Sequence, residues 1–462
     1  MSTETVDIGF DAGALKPRIL HLGFGAFARA HPMVYLSEGL AKAGGDWGVV
    51  VARLNSGRAA MDELDEAGHR YHVAEADGEG VTLREIGVVT GTLHPARDGV
   101  AAIPALIATE AMSVILLTIT EKGYCARSGG LDRGNAGIVA DLAAPEAPGT
   151  AIGVIVEGLA RRRAAGHGGL TVLSCDNQPE NGHLTRAVIL QFAEARDPAL
   201  AAWIAETCTF PCSMVDRIVP AMTEESHALL EDMLGRPDPN GIVCEPFRQW
   251  VIEDAFAADR PPFAEGGAEL VEDVRPFEEM KLRMLNGSHT MLACRGQIAG
   301  HVTVDNCMGD AALRGKARSL MLEEQAPTLS VPESVDLAAY AEALLTRFAN
   351  PRLRHRLDQI ASDTSQKMPQ RLFAPALVHL QKDEDWPVTA EGIAAWIRLL
   401  CDGRGSADPR KEELDAAAKE ADPVAAVLAL PGLVPAELAA QPGFLPGVKA
   451  AFAALPETAA AE

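Results

Sequence analysis

Residues 278–289 read Glu278-Glu279-Met280-Lys281-Leu282-Arg283-Met284-Leu285-Asn286-Gly287-Ser288-His289. On a helix turning about 100° per residue, with Lys281 at 0°, Glu278 falls at about 60°, His289 at about 80° and Asn286 at about 140°. An ammonium, a carboxylate, an imidazole and a carboxamide then share one arc, walled by Met280, Leu282, Met284 and Leu285. Burial disfavours an ammonium, so a lysine in such a wall can exchange a proton with an alcohol or a carbonyl. Asn286 and His289 could hydrogen-bond the same oxygen. The ordinary alternative is a solvated lysine followed by an Asn-Gly turn. Which of the two holds depends on what the rest of the chain supplies.

Residues 18–22 predict a short buried strand, followed by Gly23-Phe24-Gly25-Ala26-Phe27-Ala28 and a helix running to Leu40. G-x-G-x-x-A between strand and helix is the setting of a dinucleotide fingerprint. Gly23 would allow the tight turn and Gly25 the approach of backbone to a pyrophosphate. Ala28 would let the helix lie close, its N-terminus facing the phosphates. Residues 47–52 predict a second strand. No acidic residue follows it to hold a ribose 2′-hydroxyl; Arg53, Ser56 and Arg58 suit a 2′-phosphate, or pair with Asp62 and Glu63.

A buried strand is expected over 113–120, leading into Glu121-Lys122-Gly123-Tyr124. A helix is expected over 151–165, and a further strand over 170–174 that ends in Cys175-Asp176-Asn177. Ligands bind beyond the carboxyl ends of strands in open parallel sheets, which would make Asp176 and Asn177 face one. The same segment also reads as a helix cap and turn. Asp216-Arg217 is an isolated charged pair in an apolar setting. Past Val274 the strand signal fades, and 276–350 read mostly as helix broken near 327–332. The fold expected is α/β: a doubly wound Rossmann-type domain for a dinucleotide over 1–275, then a mainly α-helical substrate and catalytic domain over 276–462.

With 462 residues, 48 % hydrophobic and 23 % charged, the chain is an ordinary globular protein of two or three domains. Its 41 Lys+Arg against 64 Asp+Glu give a net charge of −23, which argues against a general nucleic-acid or anionic-membrane binder. Within that acidic chain Arg354-His355-Arg356, Lys367 and Arg371 form a basic stretch. The eight cysteines lack metal or redox spacing and are expected as buried thiols. Asp7, Asp11, Lys16 and Arg18 interrupt any apolar leader, and no long apolar run exists, so a cytoplasmic protein without a membrane span is expected. No histidine spacing points to a metal.

Taken together, the motifs resemble the polyol-specific long-chain dehydrogenases, the mannitol dehydrogenase family. The resemblance is carried by Gly23-Phe24-Gly25-Ala26-Phe27 with Arg29-Ala30-His31, by Thr120-Glu121-Lys122-Gly123-Tyr124, and by Ser174-Cys175-Asp176-Asn177. It continues in Met214-Val215-Asp216-Arg217-Ile218, Glu245-Pro246-Phe247 and the Lys281, Asn286, His289 signature. It implies an active site between two such domains and a zinc-independent hydride transfer with NAD or NADP. Lys281 would exchange the proton, Asn177 and Asn286 would hold the oxyanion, and Asp216 and His289 would orient substrate. Glu278 would pass protons to Lys281. Gly23, Phe24, Gly25, Ala26, Phe27, Arg53, Arg58, Thr120 and Lys122 are the cofactor-binding candidates.

Glu324-Gln325-Ala326-Pro327-Thr328, Leu353-Arg354-His355-Arg356 and Ser365-Gln366-Lys367-Met368-Pro369-Gln370-Arg371 are similar to the hexuronate-reducing branch of that family. Gln359 stands where mannitol dehydrogenases tend to carry arginine, eight residues before Lys367. The branch implies interconversion of D-fructuronate and D-mannonate, with mannitol or arabinitol 2-dehydrogenation of neutral polyols as the alternative. A uronate needs a cation, and Arg283, Lys367 and Arg371 are the candidates. The wheel puts Arg283 at about 200°, away from Lys281 and toward the sheet domain. The expected partner is a small sugar acid or polyol, the expected assembly a monomer or small homo-oligomer.

Overall fold

The computed structural model describes residues 2–404 and 407–459. The chain divides into two compact units, Met1–Val274 and Arg275–Glu462. In the first unit five parallel strands form the central sheet: β1 (Lys16–Leu22), β2 (Trp47–Ala52), β3 (Val89–Leu93), β4 (Val114–Leu117) and β5 (Thr171–Ser174). Their order across the sheet is β3-β2-β1-β4-β5, that of a doubly wound dinucleotide-binding sheet.

Trp47–Ala52 and Val114–Leu117 read as unbroken apolar runs because both faces of the sheet are covered. Ile19, Val49, Val51, Val114 and Leu116 point into one core, with Met33, Leu36 and Leu40 of the helix Pro32–Ala43. Leu20, Leu22, Ile115, Leu117 and Val172 point into the other, against the helices Ala151–Ala164 and Asn181–Arg196. Alternation of side chains along a strand makes this division automatic.

Two expected elements differ in extent. The helix after the glycine turn is broken into Ala26–Ala30 and Pro32–Ala43, with His31 between them at φ −120°, ψ −82°. Pro32 has no N–H and crowds the residue before it, so His31 leaves the helical region. The buried His31 ring stacks on Phe27 at 4.7 Å, and its Nε2 lies 3.0 Å from the Gln249 carbonyl, which only a protonated Nε2 can reach as donor. The strand expected over 113–120 is confined to Val114–Leu117. Thr118 already bonds the glycine turn, and Thr120 takes φ +61° to start a helical turn, Thr120–Gly123.

Among the described residues of the second unit the regular elements are all helices, joined by turns and loops. Ser288–Ile298 and Pro387–Cys401 are its most buried helices and pack on each other. Three turns are π-helical, with hydrogen bonds reaching five residues back: Lys281–Gly287, Leu320–Gln325 and Pro369–Phe373. The first packs against both of the others. Gly287 is the point of closest approach: a Cβ there would stand 2.3 Å from Gln325 Nε2 and 2.9 Å from the Arg371 carbonyl oxygen. Among the described residues no helix is long and apolar enough to cross a membrane, and no disulfide joins any of the eight cysteines.

Candidate active site

In the first unit the candidate residues gather beyond the carboxyl ends of β1, β2, β4 and β5. Gly23 has φ +88°, and a Cβ there would lie 2.1 Å from the Thr118 carbonyl oxygen, so only glycine can make this turn. Its N–H bonds the Ala52 carbonyl at 2.9 Å, and its carbonyl accepts from Thr118 Oγ1 at 2.6 Å. The turn is thereby pinned to the ends of β2 and β4.

Gly25 is different. Its φ is −95°, and a Cβ would meet nothing nearer than the Gly23 carbonyl oxygen at 3.7 Å. The protein's own packing does not demand glycine there, whereas close approach of a pyrophosphate does, and this donor set fits a dinucleotide. Ala28 is fully buried, as a helix lying close to the sheet requires. Phe24 turns its ring into the core, edge-on to Tyr71, so it can offer a ligand only backbone. Ala26 and Phe27 are half-buried.

Beyond β2, Arg53 folds over Gly57, at φ +78°, its Nη1 lying 2.2 Å from where a Cβ would stand. Arg58 is exposed and lies 3.5 Å from Asp62 one helical turn on, the pairing weighed above against a 2′-phosphate role. An exposed pair of this kind is worth little and does not hold Arg58 in place.

Beyond β4 and β5, Asp176 acts as a staple. Its carboxylate accepts from Ile119 N at 3.0 Å, Thr120 N at 2.9 Å and the Tyr124 hydroxyl at 2.7 Å. It therefore ties the turn that carries Thr120 and Lys122 to the loop that carries Asn177, and Asp176 itself is not left facing a ligand. Asn177, Thr120 and Lys122 are exposed on these two segments.

Asp216 and Arg217 part company, as neighbours at a strand end do. Asp216 is buried at the end of Ser213–Asp216, opposite Gln249 in an antiparallel pair. The Arg217 guanidinium goes instead to the Glu75 carboxylate and to the carbonyls of Glu245 and Ala30. Arg217 is structural.

In the second unit Glu278 and Lys281 are both buried, each 8 % exposed, beside Met280, Met284 and Leu285. The 100° wheel does not hold past Lys281, because the turn that follows is π-helical. In an i→i+5 ladder the residue five on lies over the first, so Lys281 and Asn286 share a face. Thr290 Oγ1 donates to the Asn286 carbonyl at 3.0 Å. His289 is buried, its ring stacked on Phe348 at 4.3 Å and met edge-on by His355 at 5.4 Å. Burial, and then His355, Arg347 and Arg371 around it, push its pKa well below the usual histidine value, so it is a neutral imidazole at pH 7.

The three candidate cations separate. Arg283 donates to the Thr328 carbonyl and to Thr328 Oγ1, and lies 3.2 Å from Glu279. Its charge is already matched within the helical unit. This corrects the expectation of Arg283 as a substrate cation. Lys367 Nζ donates to the carbonyls of Ile360 and Ser362. Arg371 Nη1 donates to Thr290 Oγ1 at 3.0 Å and to the Asn286 carbonyl at 3.4 Å. Among the described residues no carboxylate forms an ion pair with either. Burial, and then Arg371, lower the Lys367 pKa; burial alone brings Arg371 down to about 10. Phe348 and Thr290 escaped the sequence reading, and His355 entered it only as part of a basic stretch. For Thr290 the i+4 spacing from Asn286 was the available signal.

Among the described residues no three His, Cys, Asp or Glu side chains converge as a metal site would need. Residues 17–265 match the family model for the mannitol dehydrogenase Rossmann domain, and 273–456 match the mannitol dehydrogenase C-terminal domain. D-mannonate oxidoreductase of Escherichia coli (strain K12) is 47 % identical over 466 residues, covering 98 % of this chain and 96 % of that protein. Two solved structures are each 32 % identical. A substrate-free D-sorbitol dehydrogenase superposes with a TM-score of 0.91, covering 98 % of both chains. The Pseudomonas fluorescens mannitol 2-dehydrogenase, in a ternary complex with NAD and D-mannitol, gives 0.82, covering 98 % of this chain and 94 % of that one.

Proposed function

The chain belongs to the mannitol dehydrogenase family and is an oxidoreductase, and from that premise we propose that it reduces a keto-hexuronate, D-fructuronate, reversibly to D-mannonate with NAD(P)H. One observation favours an acidic substrate over a neutral polyol. Lys367 and Arg371 are largely withdrawn from water, yet each is met only by neutral oxygens. Holding cations in such surroundings without an anion is costly, and a substrate carboxylate would offset it. A neutral hexitol would leave the Arg371 charge unmatched and that of Lys367 offset only at a distance by Asp363 and Asp408. The relation to D-mannonate oxidoreductase supports the same reading.

When bound, the nicotinamide supplies hydride to the keto carbon, or accepts it from the alcohol in the reverse direction. The residues at positions 23–27 and the turn of Thr120 and Lys122 are the groups assigned to hold the cofactor. Asn177 and Asn286 are assigned to donate to the substrate oxygen as it gains negative charge. Lys281 gives that oxygen its proton, and Glu278, one helical turn earlier, restores the proton to Lys281. Neutral His289 and Asp216 bond substrate hydroxyls, and Arg371 and Lys367 bind the carboxylate. The lack of an acidic residue after β2, with Arg53 and Arg58 in its place, favours acceptance of NADPH as well as NADH. Eight cysteines without a disulfide support a reducing, cytoplasmic setting.

The test is a panel of D-fructuronate, D-fructose and other ketoses, each with NADH and NADPH. The reading expects fructuronate to give the highest kcat/KM. Efficient turnover of fructose or mannitol, with fructuronate poor, would assign a neutral-polyol enzyme instead.

A further inference from the structure

His355 has been given no role so far, although it stands among the residues assigned to substrate. It follows the turn 351–354, in which Arg354 takes left-handed backbone at φ +41°. The chain is then fastened: Val304 N donates to the His355 carbonyl and Leu357 N to the Val302 carbonyl, each at 3.0 Å, with Thr303 and Arg356 bridged between them. The imidazole is thus carried on a braced segment. Its ring meets His289 edge-on at 5.4 Å, and the ring of Phe348 stacks on His289 at 4.3 Å.

Two features of His355 do not suit a purely packing role. Its Nδ1 is buried without a hydrogen-bond partner, and among the described residues Nε2 has none either. His289 likewise takes part in no hydrogen bond shown among the described residues; its ring contacts there are those of Phe348 and His355. Burial, and then the Lys367 ammonium nearby, lower the His355 pKa below the usual value, so both rings are neutral at pH 7. A neutral imidazole offers one N–H and one lone pair, which a hydroxyl can engage in either sense. Two such rings set edge to face, beside Lys367 and Arg371, neither in an ion pair among the described residues, make a surface suited to a chain of hydroxyls that ends in a carboxylate.

We propose that His355 is a further substrate-contacting residue, its imidazole hydrogen-bonding a hydroxyl toward the carboxylate end of the sugar acid. The proposal rests on the assignment of Lys367 and Arg371 to that carboxylate. It separates His355 from His289: His289 lies on the helix that follows the Lys281–Gly287 turn and serves the reacting end, while His355 shares its surroundings with Lys367.

The test compares wild type, His355→Phe and His355→Gln at saturating NADH with D-fructuronate, and again with D-fructose. Phenylalanine fills the ring's space without a polar atom, whereas glutamine restores both a donor and an acceptor. His355→Phe should raise KM for fructuronate by about tenfold with kcat changed by less than about threefold, the pattern of lost uniform binding. His355→Gln should recover most of that loss, and the thermal midpoints of both variants should stay near wild type. A KM unchanged in His355→Phe would overturn the contact. So would equal losses in both variants with lowered midpoints, which would make His355 a packing residue. The substrate-class reading is judged separately, from wild type alone. If wild type prefers fructose, that reading fails, and the same KM comparison on fructose decides whether His355 touches substrate.

Discussion

Lys281 and Asn286 stand five residues apart at the two ends of one hydrogen-bond repeat of a π-helical turn, and so lie on the same face. An α-helix would have set them about 140° apart. The proton donor and the oxyanion donor proposed for the reaction are brought together by that change of pitch. Lys281→Ala should therefore remove proton transfer while leaving the cofactor-binding turn of the other unit untouched. Turnover should fall by about 10²–10⁴, with the dissociation constant for NADH unchanged when measured by fluorescence titration. Near-wild-type turnover in Lys281→Ala would sink the mechanism.

Gly287 sets the geometry of the same turn. Adding one methyl group drives it toward Gln325 Nε2 and the Arg371 carbonyl, 2.3 and 2.9 Å from the new Cβ. The amide can swing aside but the backbone cannot. Gly287→Ala should cost about 1–3 kcal/mol in an unfolding titration, as overpacking does. It should also lower kcat, since the shift falls between Asn286 and His289. A companion Gln325→Ala change should restore part of the stability and little of the activity. An unaltered midpoint would mean that the contact between the π-turns is looser than described.

Substrate charge is tested at Arg371 and Lys367. Arg371→Gln keeps a donor for Thr290 and removes the charge, and Lys367→Met removes the ammonium. Each should raise KM for D-fructuronate by at least about tenfold, roughly 1.4 kcal/mol. Neither should change the weaker reaction with D-fructose to the same degree. Equal losses on the two substrates would show that these residues read a hydroxyl common to both.

Acid stability follows from two histidines of the first unit. Burial brings His21 and His31 down to about 3 in the folded protein, against about 6.5 when unfolded. Their folded pKa is depressed, and for histidine that favours the neutral form. Stability from this source is full above about pH 6.5 and is lost as pH falls from there toward 3, because only the unfolded chain takes up the protons. Together they should remove roughly 4 kcal/mol by pH 5. Urea titrations at pH 7, 6 and 5 should show it, with uptake of about two protons on unfolding at pH 5. A flat profile would mean that these rings are protonated in the folded state.

What the sequence discloses here depends on how local the determinant is. Trp47–Ala52 is legible because a strand buried on both faces has to be apolar at every position. Gly23 is legible because a positive φ against the Thr118 carbonyl leaves no other residue. The pitch of Lys281–Gly287 is not: Lys-Leu-Arg-Met-Leu-Asn would serve an α-helix equally well, and the two π-turns it packs against lie far away in the chain. Arg283 as a candidate cation was not resolved by the sequence either, because its partner Thr328 lies 45 residues on, beside another π-turn. His355 read as one member of a basic run, since the rings that give it meaning, His289 and Phe348, come from other helices.

The fitting together of the three π-turns has a consequence for how this part of the chain can vary. Each such turn holds one more residue than the α-turn it replaces, so it is in effect an insertion retained in the backbone. Loss of one residue between Lys281 and Asn286 would let that turn close to α pitch, leaving the two four apart and still on one face. The narrower turn would draw the backbone in and withdraw Gly287 from its seat against Gln325 and the Arg371 carbonyl. Apart from Lys281, Asn286, Gly287 and Arg371, side chains along these turns can be exchanged more readily than the count of residues. Spacing, as much as composition, is what this region has to inherit unchanged.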